Sequence, residues 1–200
     1  MPKTRALITG ITGMVGSHLA EFLLEATDWD IDGMCRWRSP LDNLESLISR
    51  INAADRIRLL YGDLRDTLAV QDVVRRSTPD YVFHLAAQSY PRTSFESPLD
   101  TLDTNIQGTA RVLDALRLSA PDAIVHVCAS SEVFGRVPKD KIPIDEECGF
   151  HPASPYAISK VGTDLIGRYY AEAYDMTVMT TRMFTHTGPR RGDVFAESTF

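Results

Sequence analysis

Residues 5–24 read RALITGITGMVGSHLAEFLL, and this stretch decides the fold. An apolar run leads directly into three glycines, Gly10, Gly13 and Gly16, and an amphipathic stretch follows them. Its apolar residues recur at helical spacing and predict one buried helix face: Val15, Leu19, Phe22 and Leu23. A strand, a glycine turn and a helix direct helix amide groups, and the positive end of the helix dipole, at a phosphate. The stretch therefore predicts a dinucleotide site, although glycines also collect in turns for conformational reasons alone.

Strand patterns alternate with helical patterns along the rest of the chain. Further strands are predicted at 30–35, 56–61, 80–86, 123–129 and 176–183, and helices at 41–52, 66–76, 99–118 and 154–174. This alternation predicts an α/β fold with a doubly wound parallel sheet of the Rossmann type, in one NAD(P)-binding domain over residues 1–200. The prolines between 136 and 155 predict a long loop. The last residues, RRGDVFAESTF, resemble the beginning of another helix, so we expect a truncated chain.

The composition argues against several classes of protein. A net charge of -6 argues against general nucleic-acid binding, and no apolar run is long enough to span a bilayer. The first strand follows the initial residues at once, which leaves no room for a secretory signal. Cys35, Cys128 and Cys148 are far apart and lack metal-ligand spacing, so we expect no metal site and a reduced, cytoplasmic protein.

Ligands of an open parallel sheet bind beyond the carboxyl ends of its strands. Arg36 and Arg38 follow the predicted second strand, whereas Asp32 lies inside it. An acid at this strand end usually binds the ribose 2′-hydroxyl of NAD, and an arginine accommodates the 2′-phosphate of NADP. The sequence therefore favours NADP over NAD, with solvent-facing loop arginines as the alternative. Asp63, after the third strand, can accept a hydrogen bond from the adenine amino group.

The candidate catalytic residues follow the fifth strand and begin the helix after the long loop. The strand ends in Ser130-Ser131-Glu132, and the helix places Tyr156 four residues before Lys160 on one face. A nearby ammonium favours the phenolate, so we expect Lys160 to lower the pKa of Tyr156 toward the range of a general base. The alternative is a surface pair on an amphipathic helix, since this spacing is common by chance.

Taken in order along the chain, these motifs resemble those of the extended short-chain dehydrogenase/reductases that modify nucleotide sugars. The motifs are Gly10-x-x-Gly13-x-x-Gly16, Asp63, Leu85-Ala86-Ala87, Asn105 with Gly108-Thr109, Ser130, and Tyr156-x-x-x-Lys160. Within this group the chain resembles the GDP-mannose 4,6-dehydratases. That closer resemblance is carried by SFESP at 94–98, SEVFG at 131–135, SPYA at 154–157 and GPRRG at 188–192.

The resemblance implies an enzyme that uses NADP, with NAD less favoured, and acts on a nucleotide-diphosphate sugar. The expected cofactor-binding residues are Gly10, Thr12, Gly13, Met14, Val15, Gly16, Arg36, Asp63, Leu64, Leu85, Ala86, Ala87, Tyr156, Lys160, His186 and Arg191. The expected substrate-binding residues are Gln88, Ser89, Ser130, Glu132 and Tyr156. The resemblance also implies a homodimer or homotetramer, although the segment 37–51 differs from the family's tetramer-forming loop. We expect the family's C-terminal substrate-binding part to be missing from this sequence, in agreement with a truncated chain.

The resemblance further implies conversion of GDP-mannose to GDP-4-keto-6-deoxymannose. Tyr156, held as a phenolate by Lys160, would take the proton of the sugar 4-hydroxyl while C4 gives up a hydride. Glu132 would then remove the C5 proton, Ser130 would assist loss of the 6-hydroxyl, and the hydride would return to C6. An alternative role for Glu132 is a structural ion pair with a nearby arginine.

Other functions stay open on the sequence. A Ser-Ser-Glu strand end also occurs in the related GDP-4-keto-6-deoxymannose reductases, so Glu132 alone does not establish dehydration. A 4-epimerase would need only Ser130, Tyr156 and Lys160. A cofactor-binding regulator without turnover is less consistent with an intact tyrosine–lysine pair.

The remaining histidines and arginines give weaker signals. Three histidines lack an evident partner and are expected to be structural: His84, His126 and His151. His186 follows the sixth strand and is expected to support the nicotinamide or substrate site. Arg190 and Arg191 could bind the nucleotide diphosphate or the cofactor phosphate, with exposed loop arginines as the alternative.

Overall fold

Six strands and seven α-helices alternate along residues 3–192, the part of the chain that the computed structural model describes. The strands are β1 (Arg5–Thr9), β2 (Asp30–Cys35), β3 (Ile57–Tyr61), β4 (Tyr81–His84), β5 (Ile124–Cys128) and β6 (Val178–Thr181). The helices are α1 (Met14–Ala26), α2 (Ile48–Ala53), α3 (Thr67–Ser77), α4 (Pro91–Glu96), α5 (Pro98–Leu102), α6 (Gly108–Ser119) and α7 (Pro155–Tyr174). Shorter helical turns lie at Asp42–Leu47, Ser131–Phe134 and Lys139–Lys141, and a π-helical turn at Asp103–Gln107 joins α5 to α6.

The strands form one parallel sheet in the order β3-β2-β1-β4-β5-β6. Alternate residues of β1 face opposite layers, as strand geometry requires. Leu7 packs in a core with apolar residues of α3 and α6, whereas Ala6 and Ile8 pack in a second core with residues of α1. The predicted doubly wound, Rossmann-type sheet is thereby confirmed. Its strand order reverses between β1 and β4, which is where such sheets bind ligands.

β4 is shorter than its apolar pattern predicts, and the reason lies in β1. The predicted strand 80–86 ends at His84 because the next two amides turn toward Thr9. The Leu85 amide is shared between the carbonyl and hydroxyl oxygens of Thr9, at 3.3 and 3.1 Å, and the Ala86 amide donates to that hydroxyl at 3.1 Å. The loop after β4 therefore bends across the end of β1 instead of extending the sheet.

The helices differ from the predicted pattern in detail. The segment 41–52 is a tight helical turn followed by α2, and the π-helical turn interrupts the predicted helix 99–118. Phe22 is 63% exposed, so its prediction as a buried position was wrong. The buried residues of α1 are small in its first two turns, Gly16, Ser17 and Ala20, and are leucines near its end, Leu23 and Leu24.

The segment 136–154 forms the predicted long loop, with one short turn at Lys139–Lys141. Among residues 3–192, no helix is long and apolar enough to cross a membrane. The further helix predicted after Arg191 lies in residues 193–200, outside the described residues.

Candidate active site

The glycine turn packs against the loop that follows β4. Gly10 has a φ of +73°, and a Cβ added there would lie 2.8 Å from the Cα of Ala86. A Cβ on Gly16 would lie 2.8 Å from the Cα of Ile11, so α1 packs tightly on the turn itself. α1 begins after Gly13 without a side-chain cap, which leaves its first amide groups available to a ligand. This cradle fits the diphosphate of a dinucleotide.

A cleft of about 350 Å³ opens at the carboxyl ends of β1, β2, β3 and β4. The predicted residues that line it are Gly10, Thr12, Gly13, Arg36, Asp63, Leu64, Leu85, Ala86, Ala87, Gln88 and Ser89. Met14, Val15 and Gly16 form the first turn of α1, next to Gly13. The other predicted residues are outside the lining of this cleft: Ser130, Glu132, Tyr156, Lys160, His186 and Arg191.

Two charged residues that sequence reasoning missed also line this cleft. Arg65 binds Asp63 at 3.1 Å and Asp100 of α5 at 2.6 Å. Its hydrogen bond to Asp63 lowers the pKa of that carboxyl, and the charge of Arg36 lowers it further. Arg36 lines the cleft, whereas Arg38 does not. Asp63 would therefore have to share its oxygens between Arg65 and the adenine that it is predicted to bind.

His84 connects the ends of β1 and β4 to α6. The Thr9 hydroxyl accepts the two loop amides, so its own proton is donated to Nδ1 of His84, 2.9 Å away. The Thr109 hydroxyl donates to the carbonyl of Asn105 at 2.6 Å, so it accepts a bond from Nε2 of His84 at 3.1 Å. Both ring nitrogens therefore have hydrogen-bond partners only when the imidazole is neutral. Burial lowers the pKa of His84 to about 3, and the charge of Lys160 acts in the same direction.

Asn105 joins the cleft to α7 from its position in the π-helical turn. Its side-chain oxygen accepts the amide of Gln88 at 2.8 Å, and its side-chain nitrogen donates to the Gln88 carbonyl at 3.0 Å. The same nitrogen donates to the Ser159 hydroxyl at 2.8 Å. The Gln88 side chain in turn binds Thr101 and the amide of Tyr90, so its predicted contact with substrate would compete with these bonds.

Tyr156, Ser130 and Lys160 come together at the beginning of α7. The Ser154 hydroxyl accepts the Ala157 amide at 3.0 Å and so starts the helix immediately before Tyr156. Tyr156 and Ser130 are each 9% exposed, and their side chains are hydrogen-bonded. The Lys160 ammonium donates to the Cys128 carbonyl at 2.8 Å and lies 5.9 Å from the centre of the tyrosine ring.

The prediction that Lys160 lowers the pKa of Tyr156 was wrong for this arrangement. Burial raises the pKa of Tyr156 to about 12, and the neighbouring Glu132 and Cys128 contribute in the same direction. The hydrogen bond from Ser130 and the charge of Arg191 oppose this rise without cancelling it. The Lys160 ammonium is directed at the Cys128 carbonyl, and burial lowers the pKa of this lysine.

Glu132 lies in the turn Ser131–Phe134, two residues after the serine that binds Tyr156. Its backbone amide donates to the Ser130 hydroxyl at 3.2 Å, and its side chain is exposed. The long loop also holds this turn in place, because the His151 amide donates to the Val133 carbonyl at 2.9 Å. Glu132 therefore presents an exposed carboxylate on a turn that hydrogen bonds hold in place, beside the buried Tyr156.

A buried ion pair further stabilises the turn Ser131–Phe134. Asp164 of α7 is 1% exposed and binds Arg182 at 2.9 Å and Arg168 at 2.8 Å. The Arg182 guanidinium also lies over the rings of Phe134 and Phe150, at 5.4 and 4.8 Å from their centres. This contact links the turn that carries Glu132 to the long loop and to α7.

The segment after β6 brings Arg191 near Tyr156, as its effect on the pKa of that residue indicates. His186 is exposed, its Nδ1 donates to the Phe184 carbonyl at 2.8 Å, and its own carbonyl accepts a bond from the Arg191 side chain. Arg190 forms two hydrogen bonds with Glu21 of α1, at 2.7 and 2.9 Å. Arg190 is thus part of an ion pair and not an exposed loop arginine.

Comparison with known proteins identifies the family of the chain. The sequence model of a family described as GDP-mannose 4,6 dehydratase matches residues 7–200. The chain belongs to the GDP-mannose 4,6-dehydratase family. The resemblance drawn from the motifs is thereby confirmed.

Similar curated proteins carry the name of this family. They include relatives from Yersinia enterocolitica, 38% identical over 198 residues, and from Homo sapiens, 35% identical over 200 residues. A third, from Arabidopsis thaliana, is 40% identical over 204 residues. These alignments cover 96%, 97% and 97% of this chain but 52%, 53% and 55% of the relatives. The chain therefore spans about half the length of the curated relatives that it matches.

Solved structures show the same fold. The dTDP-glucose 4,6-dehydratase DesIV from Streptomyces venezuelae, described with NAD and TYD bound, has a TM-score of 0.87 and 27% identity. It aligns with 98% of this chain and 60% of its own. RMD from Pseudomonas aeruginosa, complexed with NADPH, has a TM-score of 0.76 and 28% identity, over 96% of this chain and 58% of its own.

The neutral state of His84 predicts a pH dependence of stability. An unfolded histidine binds a proton near pH 6.5, whereas the folded protein keeps His84 neutral down to a pKa of about 3. The contribution of the neutral His84 to the free energy of unfolding is therefore fully present above pH 6.5 and is lost as the pH falls toward 3. The loss can reach about 1.4 kcal/mol per pH unit within that range.

Urea unfolding between pH 7.5 and 4.5 can measure this effect by comparison with His84→Gln. The free energy of unfolding of the wild type should fall more steeply with decreasing pH than that of the variant. Other titrating groups are common to both proteins and cancel in the difference. Parallel pH curves would contradict a buried, neutral His84.

Proposed function

We propose that the whole protein is an NADP-dependent nucleotide-sugar 4,6-dehydratase that converts GDP-mannose to GDP-4-keto-6-deoxymannose. Family membership supports this reaction, and one geometric observation carries it. Glu132 presents a carboxylate on the turn that begins with Ser130, and Ser130 is hydrogen-bonded to Tyr156. Dehydration needs such a second acid–base group beside the residues that oxidise C4.

A nicotinamide dinucleotide fits the cleft. The crowded glycine turn and the uncapped start of α1 suit its diphosphate, while Arg36 and Asp63 line the cleft beyond the ends of β2 and β3. The bound nicotinamide would accept a hydride from C4 and return it to C6. The known structures described with NAD and with NADPH support this class of cofactor. We infer NADP because Arg36, and no acid, follows β2 at the cleft.

The chain's own residues would move the protons of the reaction. Tyr156 would take the proton of the 4-hydroxyl once cations and the substrate hydroxyl offset the raised pKa of its phenol. Lys160 and Arg191 are the cations beside it. Glu132 would remove the C5 proton, which the 4-keto group acidifies, and Ser130 would assist departure of the 6-hydroxyl.

The alternatives within this fold use fewer of these residues. A 4-epimerase would need Ser130, Tyr156 and Lys160 but would leave Glu132 without a chemical role. A reductase would release the oxidised cofactor after each turnover, and RMD shows that similar folds bind NADPH. A regulator without turnover would have no use for a tyrosine that is hydrogen-bonded to Ser130.

We propose a homodimer or homotetramer, as the resemblance implied. Large apolar side chains of α5 and α7 are exposed in this chain, including Leu99 (79%), Tyr169 (53%) and Leu165 (49%). Exposed apolar side chains on neighbouring helices commonly mark a contact with another subunit.

The expected cytoplasmic location stays a prediction.

Arg36 provides a test of cofactor choice. The full-length wild type should bind NADP(H) more tightly than NAD(H), because the guanidinium can bind the 2′-phosphate. Arg36→Ala should weaken binding of NADP(H) about tenfold or more and leave that of NAD(H) nearly unchanged. Calorimetric titration measures both affinities, and Arg38→Ala is the matched control because Arg38 does not line the cleft. Equal or better NAD(H) affinity in the wild type would refute the assignment.

Glu132 provides the test of dehydration. Glu132→Gln should still permit oxidation at C4, because Tyr156 and Lys160 are unchanged, but should slow loss of the C5 proton about a hundredfold or more. In a single turnover with GDP-mannose, nicotinamide absorbance should show reduced cofactor accumulating in this variant. Tyr156→Phe should show almost no reduction of the cofactor, since its ionisable hydroxyl is gone.

Circular dichroism must first show that both variants are folded, since an arginine near Glu132 could lose its partner. A folded Glu132→Gln variant that forms the 6-deoxy-4-keto product at the normal rate would exclude Glu132 as the C5 base. The reductase or epimerase alternative would then be favoured.

A further inference from the structure

The segment 186–192, here called the strap, is fastened to the face of the fold that carries the glycine turn. Arg190 binds Glu21 of α1 through two hydrogen bonds, and both side chains are 24% exposed. The Ser46 hydroxyl also donates to Glu21, and together with Arg190 it lowers the pKa of that carboxyl. Nε2 of His18 lies 3.3 Å from the Pro189 carbonyl. These contacts join parts of the chain that are far apart in sequence.

Asn43 locates the strap relative to the glycine turn. Its side-chain nitrogen donates to the Thr12 carbonyl at 2.9 Å and to the Arg190 carbonyl at 3.1 Å. One amide group therefore bridges the strap and a residue that lines the cleft. The other end of the strap is held near the catalytic residues, because Arg191 is close enough to affect the pKa of Tyr156. The strap thus extends from the start of α1 to the catalytic tyrosine.

The backbone of the strap is unfavourable at one position. Arg190 adopts a φ of +71°, which is unfavourable for a residue with a side chain. The long-range contacts of its guanidinium and carbonyl group offset that cost. The main connection, an ion pair that is three-quarters buried, can open without disturbing the sheet, because Glu21 and Arg190 both lie outside the two apolar cores.

We propose that Glu21, Asn43 and Arg190 form a latch that holds the strap across the glycine turn and keeps the dinucleotide bound from one turnover to the next. This inference rests on the proposed function. A 4,6-dehydratase returns the hydride to its own product, so its cofactor ends each cycle in the state in which it began. Such an enzyme has no need to release the dinucleotide, whereas a reductase must do so each time.

The rate of cofactor release tests the latch. Full-length protein is loaded with NADPH, and release is followed by stopped-flow fluorescence after mixing with excess NADP+. Glu21→Gln and Arg190→Gln should each speed release about tenfold. This factor corresponds to a decrease of about 1.4 kcal/mol in the activation free energy of release. Asp72→Asn is the matched control, because it removes an exposed partner of Arg75 and Arg76 on α3 and should leave release unchanged.

A double-mutant cycle separates a latch from two independent effects. If the two residues act as one ion pair, the double variant Glu21→Gln/Arg190→Gln should release NADPH no faster than either single variant. Additive effects would overturn the latch. Thermal unfolding without cofactor should be similar in all variants, so that faster release cannot be attributed to general loss of structure.

Failure of the latch can be distinguished from failure of the proposed function. A wild type that binds NADPH, with single variants that release it at the wild-type rate, would overturn the latch alone. A wild type that binds no NADPH would overturn the proposed function and the latch together.

Discussion

The hydroxyl group of Thr9, at the end of the central strand, accepts the amides of Leu85 and Ala86 and donates its proton to His84. These bonds end β4 early and turn the following loop across Gly10, where no Cβ would fit. The crevice between β1 and β4 takes its form from that turn. Because the imidazole must accept from Thr9 and donate to Thr109, the junction also requires a neutral His84.

The same polar network connects the cleft to the proposed catalytic residues. Asn105 holds the loop after β4 through both backbone groups of Gln88 and reaches Ser159 of α7. Ser159 lies between Tyr156 and Lys160 on that helix, and its hydroxyl donates to the Tyr156 carbonyl at 2.6 Å. The position of Tyr156 relative to the cleft is thus set by buried hydrogen bonds, whose partners are costly to remove.

Much of this arrangement could be predicted from the sequence, because its causes are local. Alternating strand and helix patterns gave the parallel sheet, and the glycine spacing gave the turn before α1. The end of β4 could not be read in this way, since it depends on a hydroxyl 76 residues away from Leu85. Asp100, Glu21 and Asn43 were missed because the residues that they bind are distant in sequence. The pKa of Tyr156 was predicted in the wrong direction because spacing on a helix does not reveal that this tyrosine is buried.

In the proposed reaction, one site oxidises C4 and returns the same hydride to C6, with Glu132 acting in between. The most direct measurement uses GDP-mannose labelled with deuterium at C4, the full-length protein and substoichiometric NADP+, with the product examined by NMR and mass spectrometry. The product should be a 4-keto-6-deoxy sugar that carries the deuterium at C6. Deuterium retained on the cofactor, or a sugar that keeps its 6-hydroxyl, would contradict it.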